Sequence, residues 1–390
     1  MAANLLACAG RDADTPYLFK TTGIRVYSLE EAMYHCFHYW KQSVDDLTGN
    51  ELADWVQSAL GLSLVASGMR GRADDSFSDR LLAFLSAADY LPPQALDALR
   101  ADLTAWERRL EWERLKERAD DLLNHDDAER AILLYQHALG MAQNAPLWNN
   151  LGIARMAAGE YTAASDALAQ AVSLEPDNIT LHLHLTESLI LQGAYDRARQ
   201  LLTQVEELEG EETADILYFK GEIEFYQTNY LQAVPYYERA AARRAEPQFL
   251  YRLSDAYGKL RQFDKALDTL QAVPVKDKIC LRTQAEVHVL ANNLPAAIKC
   301  VERALLTDMD SVDLWIRLAR YHRLDYDNAR AERAIIKALG LAPGSAKAQL
   351  EYARIRKAQG RIKDYQAILH KVLKGFKDRY RENIAMGSVG

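Results

Sequence analysis

A few groups of side chains have spacings that could support chemistry. His35, Cys36 and His38 stand within four residues, and an i, i+3 histidine pair can share a metal ion. A structural metal site needs about four ligands, and the neighbours Tyr34, Phe37, Tyr39 and Trp40 point to a packed helix–helix contact instead. His182 and His184 are two apart, so on a helix they face different sides. The paired acids Asp126-Asp127 and Glu206-Glu207 could share a proton, but they fall at turns or exposed helix ends, where solvated charge is expected. The cysteines Cys8, Cys36, Cys280 and Cys300 form no C-x-x-C pair, and four in 390 residues are too sparse for a disulfide scaffold. Reduced, mostly buried thiols are expected, with Cys280 and Cys300 in one helical hairpin. There is no P-loop, dinucleotide glycine motif, G-x-S-x-G elbow or H-E-x-x-H. The expectation is a non-catalytic chain with no metal site and no cofactor.

Composition sets what could position any functional group. Apolar residues are 49% and charged residues 26%, the balance of a folded chain rather than a disordered one. No uncharged apolar run approaches the roughly 18 residues of a membrane span. Lys+Arg 47 against Asp+Glu 55 gives a net charge of −8, which argues against the basic footprint of a nucleic-acid binder. With 10 Pro and 19 Gly, long interrupted β architectures are disfavoured. Leu5-Leu6-Ala7-Cys8 looks like a lipobox, but no Lys or Arg precedes it and the apolar run is too short. A short buried strand or turn is expected there, and a cytoplasmic location for the chain.

An internal repeat organises most of the length. Ala131, Ala164, Ala198, Ala233, Ala266, Ala297, Ala331 and Tyr365 recur at steps of 33, 34, 35, 33, 31, 34 and 34. Four residues after each anchor stands Tyr135, Leu168, Leu202, Tyr237, Leu270, Val301, Ile335 or Leu369. Seven after stands Ala138, Ala171, Val205, Ala240, Val273, Ala304, Ala338 or Val372. This i, i+4, i+7 stripe is the apolar face of a helix. Twelve before the anchors are Ala119, Gly152, Thr186, Gly221, Ser254, Ala285, Ala319 and Ala353, all small. Small residues on both helices of each unit predict tightly packed antiparallel pairs. Short turns such as Ala158-Gly159-Glu160 and Gln192-Gly193-Ala194 join them, and Pro146, Pro176, Pro247 and Pro343 separate units.

The unit resembles the tetratricopeptide repeat (TPR). Residues 145–178 carry Trp148, Leu151, Gly152, Tyr161, Ala164, Leu168, Ala171 and Pro176 at that family's spacing, and Trp315, Leu318, Ala319, Ala331, Ala338 and Pro343 repeat much of it. The resemblance runs from about 112 to 379 over eight units. It departs at Ala128, Gln284, Leu294 and Tyr365, as distorted or capping repeats do. It implies an all-α, right-handed superhelical α-solenoid of helix hairpins behind a small, mainly helical N-terminal domain. Expected boundaries are 1–100 for that domain, 101–379 for about eight repeats, and 380–390 for a flexible tail.

The resemblance also implies that the first helix of each unit lines a concave groove. Eleven before each anchor stand Asp120, Ile153, Glu187, Glu222, Asp255, Glu286, Arg320 and Arg354. Fifteen before are Lys116, Asn149, Leu183, Tyr218, Tyr251, Arg282, Ile316 and Leu350, and eight before include Phe225, Arg323 and Lys357. The expected groove is acidic in its middle, flanked by Tyr218, Phe225 and Tyr251, and basic around Arg320, Arg323, Lys347, Arg354 and Lys357. Its partner would be a polypeptide with a basic stretch and an acidic one. The competing expectation is a solvated face with Glu–Arg pairs between neighbouring units. Asn149 alone fits a clamp for a C-terminal carboxylate, and Glu187 would repel one. The basic stretch 354–381 is expected to be a solvated capping helix.

In the first hundred residues, Tyr17–Phe19 and Arg25–Tyr27 are expected as short extended pieces. Ser28 and Glu31 form a capping box that opens a helix through Met33, Phe37 and Trp40. Asn50 is placed to cap a second helix, Gly68–Asp75 reads as a polar loop, a helix covers Phe77–Ala88, and Pro92-Pro93 starts a long one. The segment 26–34 is similar to the opening of uncharacterised TPR proteins of Gram-positive bacteria, implying a bacterial protein. The functional expectation is a scaffold or adaptor holding a partner polypeptide in the groove, with neither nucleic acid nor membrane as partner and self-association left open. The alternative is a peptide-switched regulator resembling the Rap-type TPR phosphatases or transcription regulators, which share this layout.

Overall fold

Local capping sets the helix starts at the N-terminal end. The computed structural model describes the backbone of residues 12–70, 75–87, 91–125 and 127–387, with side chains as far as residue 374. A short antiparallel ribbon, β1 (Tyr17–Leu18) and β2 (Arg25–Val26), sets Tyr17 opposite Val26. Ser28 caps α1 (Leu29–His38), its hydroxyl accepting from the Glu31 N–H at 3.2 Å. The Glu31 carboxylate accepts from the Tyr27 N–H at 2.6 Å, one residue beyond the partner expected in a capping box. Trp40, expected inside α1, lies past its end and meets Trp106 edge-on at 5.4 Å.

Short helices α2 (Val44–Thr48), α3 (Glu51–Ser58), α4 (Ser63–Arg70) and α5 (Phe77–Ser86) follow. Asn50 precedes α3 with helical backbone and makes no side-chain cap bond. Helix α4 takes the start of the stretch read as a polar loop; residues 71–74 lie outside the described residues, as do Leu5–Cys8 and Ala88. Ser76 and Asp79 form a reciprocal box on α5. Pro93 opens α6 (Pro93–Glu107), where its missing N–H has no partner to lose. Phe19, Met33, Leu52, Val56, Leu81 and Phe84 close the core of this part, all fully buried.

From Glu111 the alanine register governs. The helices run α7 (Glu111–Asn124), α8 (Ala128–Met141), α9 (Ala145–Ala157), α10 (Tyr161–Leu174), α11 (Ile179–Gln192) and α12 (Tyr195–Glu209). They continue as α13 (Ala214–Tyr226), α14 (Tyr230–Arg243), α15 (Pro247–Lys259), α16 (Phe263–Gln271), α17 (Lys278–Leu290) and α18 (Leu294–Leu305). The last are α19 (Val312–Leu324), α20 (Asn328–Leu341), α21 (Ala346–Ala358) and α22 (Ile362–Gly387). Every even-numbered helix from α8 to α22 begins three residues before its anchor. The seven alanine anchors have no exposed surface, whereas Tyr365, at the same position in α22, is half-buried. The small residue twelve before the anchor packs on the residue four after it. A Cβ added to Gly152 would lie 2.4 Å from Leu168 Cγ, and one added to Gly221 would lie 2.7 Å from the Tyr237 ring. Glycine is required there by close approach, not by backbone conformation.

The turns within these pairs share one device. Gly159, Gly193, Thr228, Arg261, Asn292, Tyr326 and Gly360, each five before its anchor, have left-handed backbone, with φ from 58° at Asn292 to 82° at Gly193. The N–H of this residue bonds three back and the next N–H bonds five back, as in Tyr326 to Arg323 O at 3.1 Å and Asp327 to His322 O at 2.9 Å. This pattern satisfies the last carbonyls of the first helix.

The chain divides into two compact units, Met1–Leu201 and Leu202–Gly390, with the division inside α12. In the first, α7 packs on α8, α9 on α10, and α10 on α11; in the second, α13 through α22 pack in successive pairs. Helix α22 is continuous to Gly387, so helix occupies part of the range 380–390; residues 388–390 lie outside the described residues. No described helix is long and apolar enough to cross a membrane.

Candidate functional site

The first helices of the pairs carry the residues singled out above, and their environments differ sharply. In the second unit, Glu222 on α13 is 5% exposed. Its carboxylate accepts from the Tyr237 hydroxyl at 2.6 Å and from the Arg252 guanidinium at 2.8 Å. Burial raises its carboxyl above the ordinary range, and Arg252 opposes this. Glu222 is therefore an internal counter-charge and not the groove-facing acid expected, because the tyrosine and arginine that replace its water come from the adjoining helices. Arg252 also lies over Phe225, at 5.4 Å, and over Tyr226. Tyr218 is half-buried against Phe249 at 5.1 Å and Tyr237 at 6.0 Å. The expected aromatic flank of the groove is thus largely committed to packing the repeats.

The other acids of this row follow suit in part. The Glu286 carboxylate accepts from Arg317 at 2.5 Å, and Arg317 also donates to Asp313 at 2.6 Å. Asp255 is half-buried; burial first, and then Glu286, pushes its carboxyl up to about 6. Tyr251 donates to Asp277 at 3.0 Å, and Asp277 also caps α17 through the Cys280 N–H.

The basic end is arranged differently. Glu351 on α21 is 2% exposed and accepts from Arg323 at 2.7 Å and Arg354 at 3.0 Å. Lys357 lies over the Tyr365 ring at 5.5 Å. Between α19 and α21 is a cavity of about 280 Å³ with Ile316 and Leu350 as its apolar walls. Four cations, Arg317, Arg320, Lys347 and Arg354, line it with the carboxylates of Asp313 and Glu351. Both carboxylates are paired. Arg320 and Lys347 are exposed, and neither side chain has a hydrogen bond or ion pair among the described residues.

In the first unit, Asn149 is half-buried and hydrogen-bonded to His184 at 2.7 Å, while Glu187 is exposed. Asp120 accepts from Asn150 at 2.9 Å, Lys116 at 2.8 Å and the Tyr135 hydroxyl at 2.5 Å. His182 bonds the Pro176 carbonyl at 2.7 Å, so the two histidines do serve different sides of α11. His35 stacks on Phe19 at 3.6 Å, and its two ring nitrogens meet Thr22 at 2.7 Å and Ser43 at 3.2 Å. Burial lowers its pKa to about 4, which keeps the ring neutral. Cys36, Cys280 and Cys300 are buried free thiols, and burial raises each above the ordinary thiol range. Asp127 caps α8 through the Arg130 N–H; Asp126 lies outside the described residues.

Sequence reasoning missed Arg252, Arg317 and Glu351. All three stand fourteen before an anchor, and an acid–base search at a spacing of 30 would have found the first.

A family profile described as tetratricopeptide repeat matches residues 155–223, and a second of the same description matches residues 218–277. No curated protein matches the chain. Among solved structures, a tetratricopeptide repeat protein from Parabacteroides merdae ATCC 43184 is 17% identical, with a TM-score of 0.45 over 63% of this chain and 98% of that one. The structure of the APC/C hetero-tetramer Cut9-Hcn1 is 15% identical, with a TM-score of 0.41 over 84% of this chain and 71% of that one. Yeast Tom70 is 13% identical, with a TM-score of 0.34 over 68% of this chain and 69% of that one.

Proposed function

We propose that this tetratricopeptide repeat protein is an interaction scaffold, and that the first-helix face of its second unit holds an acidic segment of a partner polypeptide. The observation that carries the reading is the unmatched pair Arg320 and Lys347 on the cavity between α19 and α21. The neighbouring acids already have their cations, so the two free ones repel each other unless a partner supplies a carboxylate. Ile316 and Leu350 add a surface for an apolar residue beside that carboxylate. The same pairings remove much of the expected demand for a basic partner stretch. Glu222 and Glu286 each meet an arginine of the next first helix, so Asp255 and the exposed Glu187 remain as the acids of that row without a printed pairing of this kind.

Complementary charge of this sort sets selectivity and encounter rate more than raw affinity, and weakens with salt. Fluorescence anisotropy with labelled peptides of equal length, one rich in Glu with interspersed Leu and one with Lys for Glu, tests the reading. The acidic peptide is expected to bind and to weaken as salt rises. Preference for the basic peptide would overturn it.

A further inference from the structure

A second cavity, of about 430 Å³, lies where the N-terminal helices meet the first helical pair, away from the face discussed above. Phe77, Val44 and Leu115 supply apolar walls, and Trp106, Arg114 and Arg118 supply donors. Trp106 is 6% exposed and is fixed by edge contacts with Trp40 at 5.4 Å and Phe77 at 5.9 Å. Its indole N–H is buried and has no hydrogen-bond partner. The Nε of Arg114 is likewise buried and unpartnered, and the guanidinium lies 5.3 Å from the centre of the Trp106 ring.

Other polar groups of the cavity are committed. Arg118 pairs with Asp45 at 2.6 Å, and Ser76 bonds Asp79. Buried donors without acceptors are rare in folded proteins, and each calls for an explanation such as a ligand or ordered water. Two such donors side by side, one of them on a cation, make a recognition element for a single oxyanion. A cavity of this size with mostly apolar walls and few convergent polar groups is typical of a small-molecule site. Exposed Glu107 and Glu111 also line it and would repel a multiply charged ligand.

We infer that this cavity binds a small organic monocarboxylate with an apolar body, its carboxylate accepting from the Trp106 indole N–H and from Arg114. The apolar body rests on Phe77, Val44 and Leu115.

The probe is phenylacetate, with phenethyl alcohol as the neutral analogue, titrated into the full chain. The readout is the ¹H–¹⁵N resonance of the Trp106 indole, assigned with Trp106→Phe. Phenylacetate should shift this resonance saturably at millimolar concentration or below, and phenethyl alcohol should bind at least tenfold more weakly. Arg114→Met, which keeps the stem over the ring, should weaken phenylacetate at least tenfold while the other indole resonances stay in place. No saturable shift would mean that water alone serves the two donors and would overturn the inference. Equal binding of the alcohol on the wild type would overturn it without reliance on any variant.

Discussion

The Arg252 guanidinium donates to the buried Glu222 carboxylate at 2.8 Å across a separation of 30 residues. The same step joins Asn150 to Asp120 at 2.9 Å, and a step of 31 joins Arg317 to Glu286 at 2.5 Å. In each case a residue fourteen before one anchor meets the residue eleven before the previous anchor. The acids of the first-helix face are thus used to tie one helical pair to the next. Arg320, in the same row, has no such partner among the described residues, and this asymmetry gives the face its basic character.

Removing Arg252 should be costly. Arg252→Met leaves a buried carboxylate with only Tyr237 as donor, and a loss of about 3–5 kcal/mol is expected in urea unfolding. Glu222→Gln in the same background should restore much of it. Tyr237→Phe should cost only about 1 kcal/mol. A neutral Arg252→Met would show that Glu222 does not depend on its counter-charge.

The Asp255 carboxyl, pushed up to about 6 by burial, binds its proton more tightly in the folded chain than in the unfolded one. Its contribution to stability is full at low pH and is lost as pH rises from about 4 through about 6. Asp255→Asn should therefore exceed the wild type in stability above about pH 6, by on the order of 2 kcal/mol, with the gap closing toward about pH 4. Chemical denaturation at several pH values reads this directly; a gap independent of pH would contradict it.

Two glycines in neighbouring helices should respond oppositely to alanine. At Gly152 the new methyl meets Leu168, whereas at Gly140 nothing lies within 4 Å. Gly152→Ala should lower stability by about 1–2 kcal/mol after the gain in helix propensity is counted, and Gly140→Ala should raise it by up to about 1 kcal/mol. Thermal melts of the two variants give the comparison, and equal shifts would contradict it.

Tyr326 holds a left-handed turn at φ 62° with 90% of its surface exposed. The equivalent turns at Gly159, Gly193 and Gly360 show that the position suits glycine. Tyr326→Gly should stabilise the chain by about 1 kcal/mol, since the ring packs against little and the backbone strain disappears. A melting temperature that falls would show that the ring makes a stabilising contact.

Most of the helical array was legible because its signal is backbone packing. An alanine where two helices touch has few substitutes, so the spacing of Ala131 through Ala331 marked each second helix. The left-handed turn position was legible only where glycine fills it; Thr228, Arg261, Asn292 and Tyr326 give no such sign. Helices α2 and α4 were missed because five and eight residues hold too few turns for a periodic pattern. The face was misread at Glu222 because a charge at helical spacing looks solvated until its partners are known. Its signature was a tyrosine four after the anchor with an acid eleven before, as in Tyr135 with Asp120 and Tyr237 with Glu222.

The measurement that bears most directly on the proposed function is the dissociation constant of the acidic peptide for the wild type and for Arg320→Glu/Lys347→Glu. Both side chains are exposed and unpaired, so the double variant should fold as the wild type does. Binding is expected to weaken at least about tenfold, with the preference for acidic over basic peptide lost or reversed. An unchanged dissociation constant in a folded double variant would contradict the account.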